Sequence, residues 1–372
     1  MTGHDLPSQP AGRAEDAGAA EVPPILQTRT SSPLQRLVRV VLTLLVVGLI
    51  FGVLIPSFAS YAEIWDALTS LKPRALLLLT ALTLLVETCK AGAYAVLVPR
   101  LGLGRAFLAQ ESAAVVSNTV PGPSGTAARY VTYRKYGVSD EDFGRSYVVN
   151  SAWSNAVPLV LPSFAVGLLA LEDSVPGKVV ALALVGLAVS AAGVVLAVLV
   201  MRSETFAYGF GERLGRLLNW ARGLVRKPPE EEVGQAVVRF RFDTLESVHG
   251  HWRGLTGIVV LRQVAAYAVL LTSLRALGAG RVDLTAIEVF AVYTLVTLAT
   301  LVEITPGNVG ITETLYISAL LWASGGADES AVVAAVFVFR LFTYVGPILL
   351  GGVCWIVLAR AFRLGRLGAV SP

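Results

Sequence analysis

Residues 179–200 read VVALALVGLAVSAAGVVLAVLV, with no charged side chain and no proline. About 20 such residues wound as a helix cross the roughly 30 Å hydrocarbon core of a bilayer. The run is continuous rather than alternating, which argues against the strands of a membrane barrel. The same reading applies outward along the chain and places six spans at about 38–56, 75–98, 145–170, 178–201, 254–277 and 331–359. Composition agrees. The 372 residues are 55% hydrophobic and only 15% charged, against roughly 25% charged in an ordinary soluble domain, which excludes a soluble enzyme. The fold class is an all-α polytopic membrane protein.

Residues 1–33 are rich in Pro, Gly, Ala, Ser and charge without apolar periodicity, and read as a disordered cytoplasmic tail. The run that follows is of span length and no small-residue cleavage site follows it, so the first helix is expected to be retained. The membrane domain is expected over 34–360 and a basic tail over 361–372. Cys89 and Cys354 lie inside apolar runs and read as buried small side chains, with no disulfide framework. His249 and His251, spaced i, i+2, would point to different faces of a helix, which does not favour a metal site. No cofactor and no nucleic-acid partner is expected.

Two further apolar stretches are interrupted. Phe107 to Tyr136 is broken at Pro121-Gly122-Pro123-Ser124-Gly125, and Thr285 to Ser324 at Pro306-Gly307-Asn308-Val309-Gly310. Proline removes a backbone donor and glycine weakens the helix, so each break predicts unwound backbone between two arms. Such backbone persists at membrane depth only where protein buries it or a wet cavity meets it. Both breaks read Pro-Gly-x-x-Gly. Each is followed by an acidic turn (Ser139-Asp140-Glu141-Asp142; Ala327-Asp328-Glu329-Ser330) and then a helix carrying Pro158 or Pro347. The shared order predicts two repeats, about 34–172 and 178–360. Corresponding broken segments in two halves point to a midplane binding site.

If each broken segment returns to its own side, the tail, the 99–143 connection, the 202–253 loop and the C-terminus share one face. That face carries about nineteen basic residues, against Lys72, Arg74, Lys178 and Arg281 opposite, which puts both termini in the cytoplasm. The two repeats are then inverted, each about three spans plus a re-entrant hairpin. The arm from Thr285 to Thr305 is long enough to span, so an eight-span description stays open. In the 202–253 loop, Phe206, Phe210, Leu214, Leu217 and Leu218 recur at helical spacing beside Arg213 and Arg216. This fits an amphipathic helix on an anionic leaflet, or equally a helix packed on the span ends. A second, mixed-charge helix is expected from Glu230 towards Trp252.

Ionisable groups inside apolar spans are costly and mark candidate sites. Glu87 and Lys90 read as a local i, i+3 ion pair. Glu111 reads as lying near an interface, and Arg262, eight residues into its span, as too deep to dismiss though able to snorkel partway. At the second break Glu303 and Glu313 flank the turn, with Arg340 as counter-charge. The same atoms allow a structural network or an anion site, since a helix starting near Ile311 offers unpaired N–H groups to a phosphate. Arg129, four residues past Gly125, would supply the matching cation at the first break. Pro123-Ser124-Gly125 is similar to the PSGH signature of membrane lipid phosphatases. Thr126 holds the histidine place, however, and no membrane segment contains a histidine, so that chemistry is not expected, nor is any other catalytic constellation evident.

At the two breaks the sequence resembles the lysylphosphatidylglycerol synthase transmembrane family, the flippase-like membrane half of the multiple peptide resistance factors. The family's Asn and Pro-Gly-Arg-x-Gly-Glu-x-x-Arg are matched by Asn118, Pro121, Gly122, Gly125 and Arg129. Its Pro-Gly-Gly-x-Gly-x-x-Glu is matched by Pro306, Gly307, Gly310 and Glu313, with Arg340 at an arginine of the last span. Pro123, Thr126 and Asn308 depart from it, so the first break has lost an acid and a base together. The resemblance implies lipid translocation or a related membrane-lipid role. It does not imply lysyl transfer, because the family's soluble aminoacyl transferase domain does not follow Pro372.

Two functional classes are expected from these residues. One is a bacterial inner-membrane flippase for an anionic phospholipid or lipid-linked intermediate, with a substrate-binding set of Asn118, Pro121, Gly122, Gly125, Arg129, Glu303, Pro306, Gly307, Gly310, Glu313 and Arg340. The other is a non-transporting scaffold or regulator of an envelope-lipid or polysaccharide enzyme, holding a cytoplasmic protein partner through 202–253.

Overall fold

The computed structural model describes residues 66, 69–119, 124–171, 177–224, 232–277, 284–301, 306–324 and 329–363. All regular structure among them is helical: α1 Pro73–Leu97, α2 Gly102–Thr119, α3 Ser124–Lys135, α4 Asp140–Leu169, α5 Gly177–Arg202, α6 Glu204–Leu224, α7 Val233–Ala276, α8 Ala286–Ala299, α9 Ile311–Ser324, α10 Glu329–Arg340 and α11 Gly346–Arg363. Five helices are long and apolar enough to cross a bilayer: Pro73–Leu97, Asp140–Leu169, Ala183–Arg202, Trp252–Ala276 and Glu329–Arg363. They correspond to five of the six expected spans; the span at 38–56 lies outside the described residues. Leu184, Val185, Val189, Val195 and Leu199 of α5 stay exposed, an apolar face that lipid rather than water suits.

Local sequence explains where helices begin. Pro73 at the first position of α1 forgoes a donor that would be unpaired there anyway. Ser139 accepts from the Asp142 N–H to cap α4, and the acids of its first turn favour the positive helix end. Thr285 and Glu288 form a reciprocal capping box at α8.

Two expectations change. The mixed-charge stretch after Glu230 is no separate helix. It continues into the span as α7, 44 residues long, because no proline interrupts it and a change of composition alone does not break backbone hydrogen bonding. The last span likewise carries a π turn, Leu341–Val345, between α10 and α11.

The arms around the breaks are short. At about 1.5 Å per residue, the 14 residues of α8 and of α9 give about 21 Å each, less than the roughly 30 Å core. The arms α2 and α3 pack on each other, as do α8 and α9. Packing also joins helices far apart in sequence: α2 lies along α11, α8 lies along α4, and α1 and α7 form the most extensive pair. A largely aliphatic core joins α4, α7, α8, α9 and α10. A second core, rich in tyrosine and phenylalanine, gathers α1, α2, α3 and the ends of α4 and α11.

Candidate functional site

At the second break the chain turns through left-handed backbone, with φ of +60° at Gly307, +49° at Asn308 and +85° at Gly310. Asparagine tolerates that region better than most residues, and the Asn308 amide donates to the Thr300 carbonyl at 2.9 Å, closing the turn onto the end of α8. Gly307 has no alternative. A Cβ there would sit 2.2 Å from the Tyr344 ring, which the π turn presents to it.

Glu313 and Arg340 hold this turn together. Glu313 Oε2 accepts from the Gly310 N–H at 2.6 Å, so the carboxylate caps its own helix and takes one of the amides expected to be free for a phosphate. Its Oε1 accepts from Arg340 Nε at 2.5 Å, while Arg340 Nη2 donates to the Gly307 carbonyl at 2.8 Å. The guanidinium also lies over the Tyr344 ring, 4.9 Å from its centre. With side chains only 13% and 7% exposed, the ion pair is a desolvated clamp across α9, α10 and the turn. Glu303 lies outside the described residues.

The first break is held differently. Pro121 and Gly122 lie outside the described residues, but both flanking arms are placed. A Cβ on Gly125 would come 2.5 Å from Ser117 Cβ, so glycine permits α3 to fold back against α2. Arg129 turns to α1, donating from Nη1 to the Tyr94 hydroxyl at 2.8 Å and lying 4.8 Å from the centre of its ring. Among the described residues it pairs with no carboxylate. The breaks meet through Tyr344, whose hydroxyl donates to the Asn118 carbonyl at 2.9 Å.

Between them lies a cavity of about 330 Å³ whose lining includes Asn118, Gly307 and Arg340 together with Lys90 and Arg262. Arg129 and Glu313 are not among its walls. The expected convergence of Arg129 and Arg340 is therefore replaced by that of Lys90, Arg262 and Arg340. Lys90 is paired with Glu87 at 2.8 Å, as expected, and Arg340 with Glu313. Arg262 donates only to the Ser154 hydroxyl, at 3.3 Å, and reaches no carboxylate among the described residues. It points into the protein rather than snorkelling. A more polar cavity of about 580 Å³, lined by Tyr147, Ser151, Ser154 and Asn155 of α4, shares Gln263, Thr297 and Thr300 with the first. The signal for this polar path was present in the sequence: residues 147, 151, 154, 155 and 158 fall on one helical face.

Among the described residues no three His, Cys, Asp or Glu side chains cluster as metal ligands do. No curated protein matches the chain. A family model, that of the lysylphosphatidylglycerol synthase TM region, matches residues 40–351. The chain is a multi-pass membrane protein that belongs to this family.

Proposed function

We propose that the chain moves an anionic phospholipid or lipid-linked intermediate between the leaflets of a bacterial inner membrane. The observation that carries this reading is Arg262, a cation facing the central cavity without a carboxylate partner among the described residues. A buried guanidinium is costly unless an anion or several acceptors compensate it, and a phosphate matches its geometry. Family membership supports a membrane-lipid role. The short arms suit re-entrant hairpins, and the packing of α2 on α11 and α8 on α4 suits two inverted repeats. On this reading both termini are cytoplasmic. The α6 helix, packed on α7 through Gly211 and Gly215 while Leu217 and Trp220 stay 61% and 66% exposed, rests on the cytoplasmic leaflet.

Leaflet exchange of fluorescent anionic lipid in proteoliposomes tests this. Arg262→Gln should slow exchange at least tenfold while the purified protein keeps its elution profile and helicity. Equal rates for wild type and variant would overturn the assignment. No exchange by the wild type at all would favour the scaffold reading, in which the surface of α6 and α7 holds a partner.

A further inference from the structure

The polar cavity beside the central one has walls of a different chemistry. Its volume of about 580 Å³ lies within the roughly 300–1,000 Å³ range of ligand sites and leaves room for more than a phosphate. Hydroxyls and amides of α4, α7 and the end of α8 line it, and no charged side chain does so among the described residues. The buried acids of those residues, Glu87, Glu111, Glu288 and Glu313, line neither cavity. Glu111, whose sequence position implied a place near an interface, is fully buried.

Gln263 joins the two cavities. It is only 7% exposed and lines both. Its Oε1 accepts from the Tyr293 hydroxyl at 2.9 Å, while its Nε2 hydrogens meet no acceptor among the described residues. A buried amide hydrogen without an acceptor is costly, so this wall calls for one from the cavity. On α4 the Tyr147 and Ser151 hydroxyls bond to no described residue. The Asn155 amide donates to the Ser151 carbonyl at 2.8 Å, which leaves its own oxygen open. Ser154, on the same wall, accepts from Arg262 Nη1 at 3.3 Å. The guanidinium of the anion site therefore stands where the two cavities adjoin.

We propose that the polar cavity receives a neutral, hydroxyl-bearing head group, such as a glycerol or a sugar ring, while the adjoining phosphate meets Arg262. This rests on the reading of the central cavity as an anion site, and it names the class of lipid selected there. Walls that combine donors with acceptors match hydroxyls, each of which donates one hydrogen and accepts at its lone pairs. An ionised phosphate only accepts and an ammonium only donates. An ammonium would leave the Gln263 hydrogens unpaired and would stand close to Lys90, Arg262 and Arg340 with no carboxylate on the described walls. A polyol entering a polar cavity also reproduces the hydrogen bonds of the water it displaces, so little is lost on entry.

Leaflet exchange in proteoliposomes of four lipids labelled on the acyl chain tests this. Phosphatidylglycerol, phosphatidylinositol, phosphatidylserine and phosphatidic acid all carry net negative charge and differ in the head group. The wild type should exchange the first two about tenfold faster than the last two, a factor that one lost hydrogen bond supplies. This comparison needs no variant to fold. Asn155→Leu, at an exposed position of the wall, and Gln263→Met should each bring the ratio of phosphatidylglycerol to phosphatidic acid rates toward one. Equal rates for all four lipids, or a preference for the serine or bare-phosphate head, overturn the polyol site and leave the transport reading intact. A ratio unchanged in both variants, each eluting as the wild type does, overturns the assignment of selectivity to this cavity. No exchange of any of the four lipids overturns both readings.

Discussion

The two breaks share Pro-Gly-x-x-Gly and differ in what closes them. At the second, a carboxylate and a guanidinium lock the turn: Glu313 to Gly310 and Arg340, and Arg340 back to Gly307. At the first, Arg129 leans on the hydroxyl and ring of Tyr94 within a tyrosine-rich core. The turn motif therefore determines where the backbone unwinds, and the surrounding charges determine how firmly it is held. A desolvated ion pair penalises loss of either member, because the survivor is left as an unpaired buried charge. An arginine on a neutral aromatic partner leaves nothing charged behind.

The same substitution at each break separates these cases. Arg340→Met strands the Glu313 carboxylate and should cost about 3–5 kcal/mol, the largest effect expected. Arg129→Met should cost about 1–2 kcal/mol, the scale of a desolvated cation–aromatic contact. Reversible unfolding in mixed micelles measures both. Adding Glu313→Gln to Arg340→Met should recover part of the loss, because the stranded charge goes with it. Equal costs at the two arginines would mean that the clamp is no firmer than the aromatic contact.

The glycines sharpen the same contrast at a smaller scale. Gly307→Ala meets two obstacles: a left-handed backbone costing about 1–2 kcal/mol for a residue with a Cβ, and overpacking against Tyr344 of about 1–3 kcal/mol. Gly125→Ala lies in ordinary helix and meets only the overpacking against Ser117. Ser117→Gly should therefore rescue most of the loss from Gly125→Ala in a double-mutant cycle, the Ser117 Cα at 3.1 Å leaving a residual contact, whereas Tyr344→Leu should rescue a smaller share of Gly307→Ala. Full rescue at 307 would show that the positive φ carries no strain there.

Apolar runs made the spans legible, because a bilayer demands length and apolarity and both are local properties of sequence. Proline and glycine placed the breaks for the same reason. What stayed hidden is long-range. Tyr94 is 35 residues before Arg129, and Ser154 is 108 before Arg262, so no spacing rule could pair them. Arg262 read as too deep to dismiss but able to snorkel partway, and it is a wall of the cavity. Glu111 read as peripheral, because nothing in its neighbourhood shows that α1, α3 and α11 close over it. The Arg340–Glu313 pairing matches one of the two readings left open for these residues, a structural network rather than an anion site, since the two were the nearest opposite charges around one turn. The continuity of α7 was missed because polarity was read as an interruption.

The smallest expected effect tests whether the two breaks act as one site. The Tyr344 hydroxyl donates to the Asn118 carbonyl, while its ring separately covers Gly307 and stacks on Arg340. Tyr344→Phe keeps the ring and removes only the hydroxyl, so the clamp at the second break should persist and only the strap between breaks should be lost. A buried neutral hydrogen bond of this kind is worth about 0.5–1.5 kcal/mol. The loss should appear as faster amide hydrogen exchange at the end of α2, residues 115–119, with the start of α9 nearly unchanged. Faster exchange at α9 of the same size would mean that the hydroxyl also supports the clamp. Unchanged exchange at both would mean that packing of α2 along α11, rather than the strap, holds the first break beside the second.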